Sequence, residues 1–131
     1  MPEIAAPKRR QLLIVDDEEA MVNLLMRIMK SDLLTAIGTT SPLEAQNLIN
    51  NLNNGDLVLS DYHMPEMTGL ELAEVTAEIR RQKAIKFFIM SAGATIKEID
   101  VINKAIKQGI LNKFLHKPFD FSDLERLILG A

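Results

Sequence analysis

The stretch LLIVDD, residues 12–17, joins four aliphatic residues directly to a pair of carboxylates. A short aliphatic run that ends abruptly in polar residues is typical of a strand buried on both faces of a parallel sheet. Residues 18–29 follow without a break, and their apolar residues recur at the spacing of an amphipathic helix. The stretch therefore predicts a strand, starting at Gln11, that is followed at once by a helix.

The same strand-and-helix unit recurs four more times along the chain. Apolar runs predict further strands over residues 33–37, 56–60, 85–90 and 113–116. Helices are predicted after them, over residues 41–51, 70–81, 95–109 and from Ser122 onward. Three of these helices begin with a Ser or Thr three residues before a Glu, the capping box of a helix N-terminus: Ser41, Thr95 and Ser122. Alternating strands and helices predict an α/β fold with one parallel sheet.

Composition limits the classes of protein that fit the chain. The 131 residues are 47% hydrophobic, which suffices for the core of a single domain. The absence of cysteine excludes a disulfide framework and a thiolate zinc site, and the net charge of −3 argues against a nucleic-acid partner. The apolar runs are far shorter than the ~20 residues that span a membrane. We expect a cytoplasmic protein without a nucleic-acid or membrane partner, with a flexible tail at residues 1–10 and one domain over residues 11–130.

Chemically capable side chains stand where four of the predicted strands end. Asp16 and Asp17 follow the first strand, Asp61 the third, Ser91 the fourth and Lys117 the fifth. In open α/β sheets, the carboxyl ends of the strands form the edge at which ligands bind. If the four strands are parallel neighbours, these side chains form one polar site.

Three carboxylates in one pocket repel each other. Each close pair costs on the order of 4 kcal/mol at a separation of ~4 Å and an effective dielectric constant of about 20. Such a cluster holds protons or a cation, and oxygen ligands without cysteine favour Mg²⁺, which phosphate oxygens usually help to bind. The chain has neither a Ser–His pair with the partners of a triad nor a glycine-rich phosphate loop. A carboxylate that attacks phosphorus to form an acyl phosphate is therefore the candidate nucleophile.

Four segments carry a family resemblance: LLIVDDEEA (residues 12–20), LVLSDYHMPEMTGLEL (57–72), FFIMSA (87–92) and FLHKPFDFSDL (114–124). Together they resemble the receiver domain of bacterial two-component response regulators over about residues 11–129. The resemblance implies a flavodoxin-like (βα)5 fold, with a doubly wound parallel sheet in the strand order 2-1-3-4-5. It identifies residues 11–130 as a receiver domain.

The resemblance also implies a role for each residue at the strand ends. Asp61 is the expected phosphoacceptor, Lys117 the phosphate-binding lysine and Ser91 the switch hydroxyl. The expected Mg²⁺ ligands are Asp16, Asp17, Asp61 and the backbone carbonyl of His63. Phe114 occupies the position of the switch aromatic residue, where the family often has tyrosine, so its movement would depend on packing alone.

The partners follow from the same resemblance. A sensor histidine kinase or a phosphotransfer protein would supply the phosphoryl group. An output domain or target protein would bind the surface of the fourth helix, fifth strand and fifth helix, through which a homodimer could also form. The domain would assist its own phosphorylation and dephosphorylation without being an enzyme in the usual sense.

Three alternative functions remain open at this stage. A haloacid-dehalogenase-like phosphatase also uses an Asp nucleophile, but it needs an acid two residues later; His63 stands there after Asp61, and Glu18 after Asp16. A flavin- or nucleotide-binding module would need a glycine-rich loop where this chain has Asp-Asp-Glu-Glu. A degenerate receiver that only binds proteins would not need the acidic residues and the lysine that the chain retains.

Overall fold

Five parallel strands form one sheet in the order β2-β1-β3-β4-β5, in a computed structural model that describes residues 9–131. The strands are β1 (Arg10–Val15), β2 (Leu34–Thr39), β3 (Leu57–Asp61), β4 (Lys86–Ser91) and β5 (Lys113–His116). The predicted strand order is confirmed, and every predicted strand is present with small shifts of its ends. Residues 1–8 of the predicted tail lie outside the described residues, and Arg10 already belongs to β1.

In the described part of the chain, six helices cover the two faces of the sheet. They are α1 (Glu19–Met29), α2 (Pro42–Asn50), α3 (Gly69–Val75), α4 (Ala77–Gln82), α5 (Ile96–Lys107) and α6 (Phe121–Leu129). Buried residues of α1 and α6 form one core layer with the sheet, whereas those of α2, α3 and α5 form the other. This is the doubly wound arrangement that the family resemblance implies. Within residues 9–131, no helix has the length and apolarity to cross a membrane.

The prediction of one helix over residues 70–81 is wrong, because the helix is interrupted at Thr76. The Thr76 hydroxyl donates a hydrogen bond of 2.7 Å to the carbonyl of Leu72, four residues earlier, and such bonds bend helices. The same hydroxyl oxygen accepts a hydrogen bond of 3.0 Å from Nε of Arg80. Thr76 thus joins α3 to α4 through side-chain bonds that helical periodicity does not reveal.

Arg80 is a buried cation with 4% of its surface exposed. Its Nη2 atom donates to the carbonyls of Ala73 at 2.8 Å and Ile110 at 2.5 Å, and its guanidinium lies 4.7 Å from the centre of the Phe87 ring. Burial lowers the pKa of Arg80 to about 10. The side chain connects α3, α4 and the segment before β5.

Replacing Arg80 with methionine should lower the free energy of unfolding by about 2 kcal/mol, because buried carbonyls would lose their donor. Urea unfolding followed by circular dichroism measures this change. Arg81→Met is the matched control: Arg81 is exposed and, within residues 9–131, pairs only with Glu78, so its loss should cost at most about 0.5 kcal/mol. Equal losses for the two variants would contradict the structural role of Arg80.

The helix N-termini agree with the sequence in part. Thr95 and Glu98 form both bonds of a capping box at α5, and Ser41 accepts a hydrogen bond from the backbone N–H of Glu44 at α2. The predicted cap at Ser122 is wrong, because Asp120 caps α6 and accepts a hydrogen bond of 3.1 Å from the N–H of Ser122. Asp120 and Ser122 both carry a side-chain oxygen near the start of the helix, so spacing alone does not distinguish them.

Candidate functional site

The strand ends predicted to form a site meet at one edge of the sheet. β1, β3, β4 and β5 are successive parallel neighbours, so their carboxyl ends point in the same direction. The side chains brought to this edge are those of Asp16, Asp17, Asp61, Ser91 and Lys117.

Three carboxylates form the centre of the site. Asp16, Asp17 and Asp61 each offer one oxygen, and these three atoms lie within 4.8 Å of one another. Asp16 is buried, and its Oδ1 atom accepts a hydrogen bond of 2.9 Å from the N–H of Glu18, which fixes the carboxylate at the start of α1. Asp61 is partly buried and Asp17 is exposed, so the cluster opens to solvent on one side.

Lys117 supplies a positive charge to this cluster. Its Nζ atom lies 3.2 Å from Oδ1 of Asp61 and 3.4 Å from Oδ2 of Asp16. Burial alone would lower the pKa of Lys117, but the two carboxylates outweigh it and raise the pKa. The lysine therefore stays protonated between the ends of β1 and β3.

The single positive charge of Lys117 does not neutralise the negative charges of three carboxylates. The pKa of Asp61 is raised, mainly because burial disfavours its charged form and further because Asp16 and Asp17 repel it, although Lys117 acts in the opposite direction. A cation would relieve this repulsion, and a set of carboxylate oxygens suits a hard ion such as Mg²⁺. The residues at this edge therefore fit a divalent metal.

Ser91 and Phe114 lie on the same side of the sheet edge. The Ser91 hydroxyl is buried and has no hydrogen-bond partner within residues 9–131, while its backbone carbonyl accepts a bond of 2.8 Å from the N–H of Lys117. Phe114 is half-buried and packs against the core layer formed by α2, α3 and α5. Because no described protein group bonds to this hydroxyl, it is available to a group that enters the site.

The His63 side chain contacts residues outside the carboxylate cluster. Its Nε2 atom lies 3.0 Å from Oε2 of Glu98 at the start of α5, and its ring packs edge-to-face against Tyr62. The side chain thus connects the loop after β3 with α5, a contact that sequence spacing did not predict. The assignment of its backbone carbonyl as a metal ligand stays a prediction.

Two small residues, Ser60 and Gly69, lie against the backbone around Asp61, and neither role was predicted from the sequence. Ser60 donates from its hydroxyl to the Asp61 carbonyl at 2.9 Å, and the N–H of Gly69 donates to the Tyr62 carbonyl at 2.8 Å. A Cβ atom at Gly69 would collide with the Asp61 carbonyl oxygen. The available signal was a glycine at the first turn of a helix, where its helix propensity is poor.

Gly69→Ala should destabilise the domain by about 1–3 kcal/mol, because the added methyl group forces α3 away from the backbone of Asp61. Denaturant unfolding measures this loss. Gly93→Ala is the control, since a Cβ atom at Gly93 meets nothing within 4 Å. Equal stability of the Gly69→Ala variant and the wild type would contradict the close contact between α3 and β3.

The chain matches the family model of the response regulator receiver domain over residues 12–129. It is similar to the two-component response regulator ORR5 of Oryza sativa, with 33% identity over 116 residues that cover 88% of this chain and 84% of the relative. It is also similar to the response regulator protein TmoT of Ectopseudomonas mendocina, with 36% identity over 92% of this chain and 50% of the relative.

Solved structures give the same result for the fold. A response regulator receiver protein from Pseudomonas putida has a TM-score of 0.80 and 26% identity, and covers 98% of this chain and 100% of the solved chain. A CheY-like receiver domain protein from Methanospirillum hungatei has a TM-score of 0.81 at 22% identity, covering 94% and 93%, and supports the fold alone. Since the family model matches residues 12–129 and a relative is 33% identical over 116 residues, this chain belongs to the receiver domain family of two-component response regulators.

Proposed function

We propose that this receiver domain accepts a phosphoryl group on Asp61 in a Mg²⁺-dependent reaction. The observation that carries the proposal is the convergence of three carboxylate oxygens within 4.8 Å, with the Lys117 ammonium group 3.2 Å from Asp61. Asp16, Asp17, Asp61 and the backbone carbonyl of His63 would hold the metal. When bound, Mg²⁺ would offset the negative charge of the carboxylates and of the incoming phosphoryl group.

Phosphoryl transfer needs a nucleophile in line with the leaving group and positive charge around the transferred oxygens. A phosphohistidine of a sensor histidine kinase or a phosphotransfer protein is the proposed donor. One Asp61 oxygen attacks phosphorus, the new P–O bond forms as the P–N bond breaks, and the leaving imidazole takes up a proton. After the transfer, Lys117 would donate a hydrogen bond to an oxygen of the phosphoryl group on Asp61.

Ser91 and Phe114 are proposed to convert this chemistry into a change of shape. The Ser91 hydroxyl has no partner among the described residues, so a phosphoryl group on Asp61 would offer it an acceptor. Movement of Ser91 would make room for the half-buried Phe114 ring. The surface of α5, β5 and α6 would then shift its population toward a form that binds an output domain, a target protein or a second copy. A cytoplasmic kinase partner would place the domain in the cytoplasm.

Labelling with acetyl phosphate tests the proposal, read by intact-protein mass spectrometry with Mg²⁺ and with EDTA. We expect one phosphoryl group per chain in Mg²⁺ and none in EDTA. The label should be lost in hydroxylamine, which cleaves acyl phosphates. Failure to label, or labelling that EDTA does not affect, would contradict the proposal. Repeated turnover of a general phosphate ester would instead favour the haloacid-dehalogenase-like phosphatase.

A further inference from the structure

The last residue of β5 is a histidine that the proposed switch does not use. The ring centroids of His116 and Phe114 lie 4.6 Å apart, and their planes meet at 79°, which is an edge-to-face contact. His116 is exposed, whereas Phe114 is half-buried. Aromatic pairs in this arrangement stabilise each other beyond the area that they bury. The imidazole therefore packs against the Phe114 ring.

Strand register places this pair beside the proposed switch hydroxyl. His116 is paired with Ser91, and Phe114 is paired with Ile89, in the parallel ladder between β5 and β4. Residues two apart on a strand share a face, and so do residues paired across a ladder. The side chains of Ser91, Phe114 and His116 thus lie on one face at the same edge of the sheet.

The Phe114 ring has no hydroxyl group, so no hydrogen bond from the ring holds either of its orientations. Packing contacts must set the balance between them, and the contact with His116 belongs to the orientation described here. We propose that His116 is a positioning residue of the switch, whose imidazole holds Phe114 in its resting orientation and loses this contact when Phe114 moves inward. The inference rests on the proposed function of the site.

A contact made only in the resting state lowers the apparent affinity for any ligand that favours the switched state. Beryllofluoride with Mg²⁺, a mimic of a phosphoryl group, is the probe. His116→Ala should bind it about two- to tenfold more tightly than the wild type, which is the range expected when an aromatic pair is removed. His116→Phe keeps an edge-to-face partner for Phe114 and should retain the wild-type affinity.

A second pair of variants separates this role from a merely structural one. In a Phe114→Leu background the imidazole has no ring to hold, so adding His116→Ala should leave the affinity for beryllofluoride unchanged. In the wild type, saturation with beryllofluoride should shift the NMR resonances of the His116 ring protons, because the neighbouring aromatic ring moves away. A structural role alone would change unfolding but neither of these readouts.

Equal beryllofluoride affinity of the wild type and His116→Ala would overturn the inference. So would an effect of His116→Ala that persists in the Phe114→Leu background. If beryllofluoride shifts the NMR resonances of amides at the site but not those of the His116 ring protons, the inference fails while the proposed function stands. If the wild type does not bind beryllofluoride at all, both fail.

Discussion

Asp61→Asn should abolish labelling by acetyl phosphate in the presence of Mg²⁺. The amide keeps the shape of the carboxylate but lacks the charged oxygen that would attack phosphorus. The other two acids should not replace Asp61 as the phosphoacceptor. Oδ1 of Asp16 already accepts a hydrogen bond from the N–H of Glu18, and Asp17 is exposed at the rim of the cluster. Intact-mass measurement should therefore show one phosphoryl group on the wild type and none on the variant.

Asp32→Asn is the matched control, because Asp32 is exposed between α1 and β2 and lies outside the carboxylate cluster. It should label like the wild type. Undiminished labelling of Asp61→Asn would show that another residue accepts the phosphoryl group, whereas loss of labelling in Asp32→Asn as well would point to a general defect. Circular dichroism of each variant confirms that the fold is intact.

Lys117→Met should slow phosphorylation by about a hundred- to a thousandfold, the usual cost of removing one group that stabilises charge in a transition state. Lys117 contacts both Asp61 and Asp16, and methionine preserves most of its apolar stem without the charge. The rate of labelling by acetyl phosphate at saturating Mg²⁺ measures this effect.

The same variant should bind Mg²⁺ more tightly than the wild type, because the carboxylates lose the positive charge that competes with the metal. Tighter metal binding together with slower phosphorylation separates the role of the lysine from a general collapse of the site. Lys113→Met, at the opposite end of β5 and exposed, should change neither quantity. Unchanged labelling of Lys117→Met would contradict its proposed role at the phosphoryl group.

The individual strands could be predicted from the sequence because each is marked by a local run of apolar residues, whereas their order came from the family resemblance. Every residue is buried in Leu12–Val15 and in Leu57–Ser60. Each of these runs is followed directly by a carboxylate, which marks the end of the strand in the sequence. Parallel pairing then brings the five strand-end residues to one edge. That the three carboxylates lie close together, with Lys117 against Asp16 and Asp61, follows from topology rather than from any single motif.

The structural features that could not be predicted from the sequence depend on contacts between segments that are distant along the chain. The break at Thr76 accompanies the bond from Arg80 to Ile110, thirty residues away. The contact between His63 and Glu98 joins the loop after β3 to the first turn of α5 and has no periodic signal. Amphipathic spacing reports which face of a helix is buried, but it does not report a side chain that bonds to another segment's backbone.

We propose that Asp16, Asp17 and Asp61 bind one divalent cation beside Lys117. A Mg²⁺ titration followed by amide NMR tests it most directly, with Asp17→Asn as the comparison. We predict saturable shifts confined to the amides around residues 16–18, 61–63 and 117, and weaker binding by the variant. Shifts spread over the surface without saturation, or equal affinity of the wild type and Asp17→Asn, would contradict the claim.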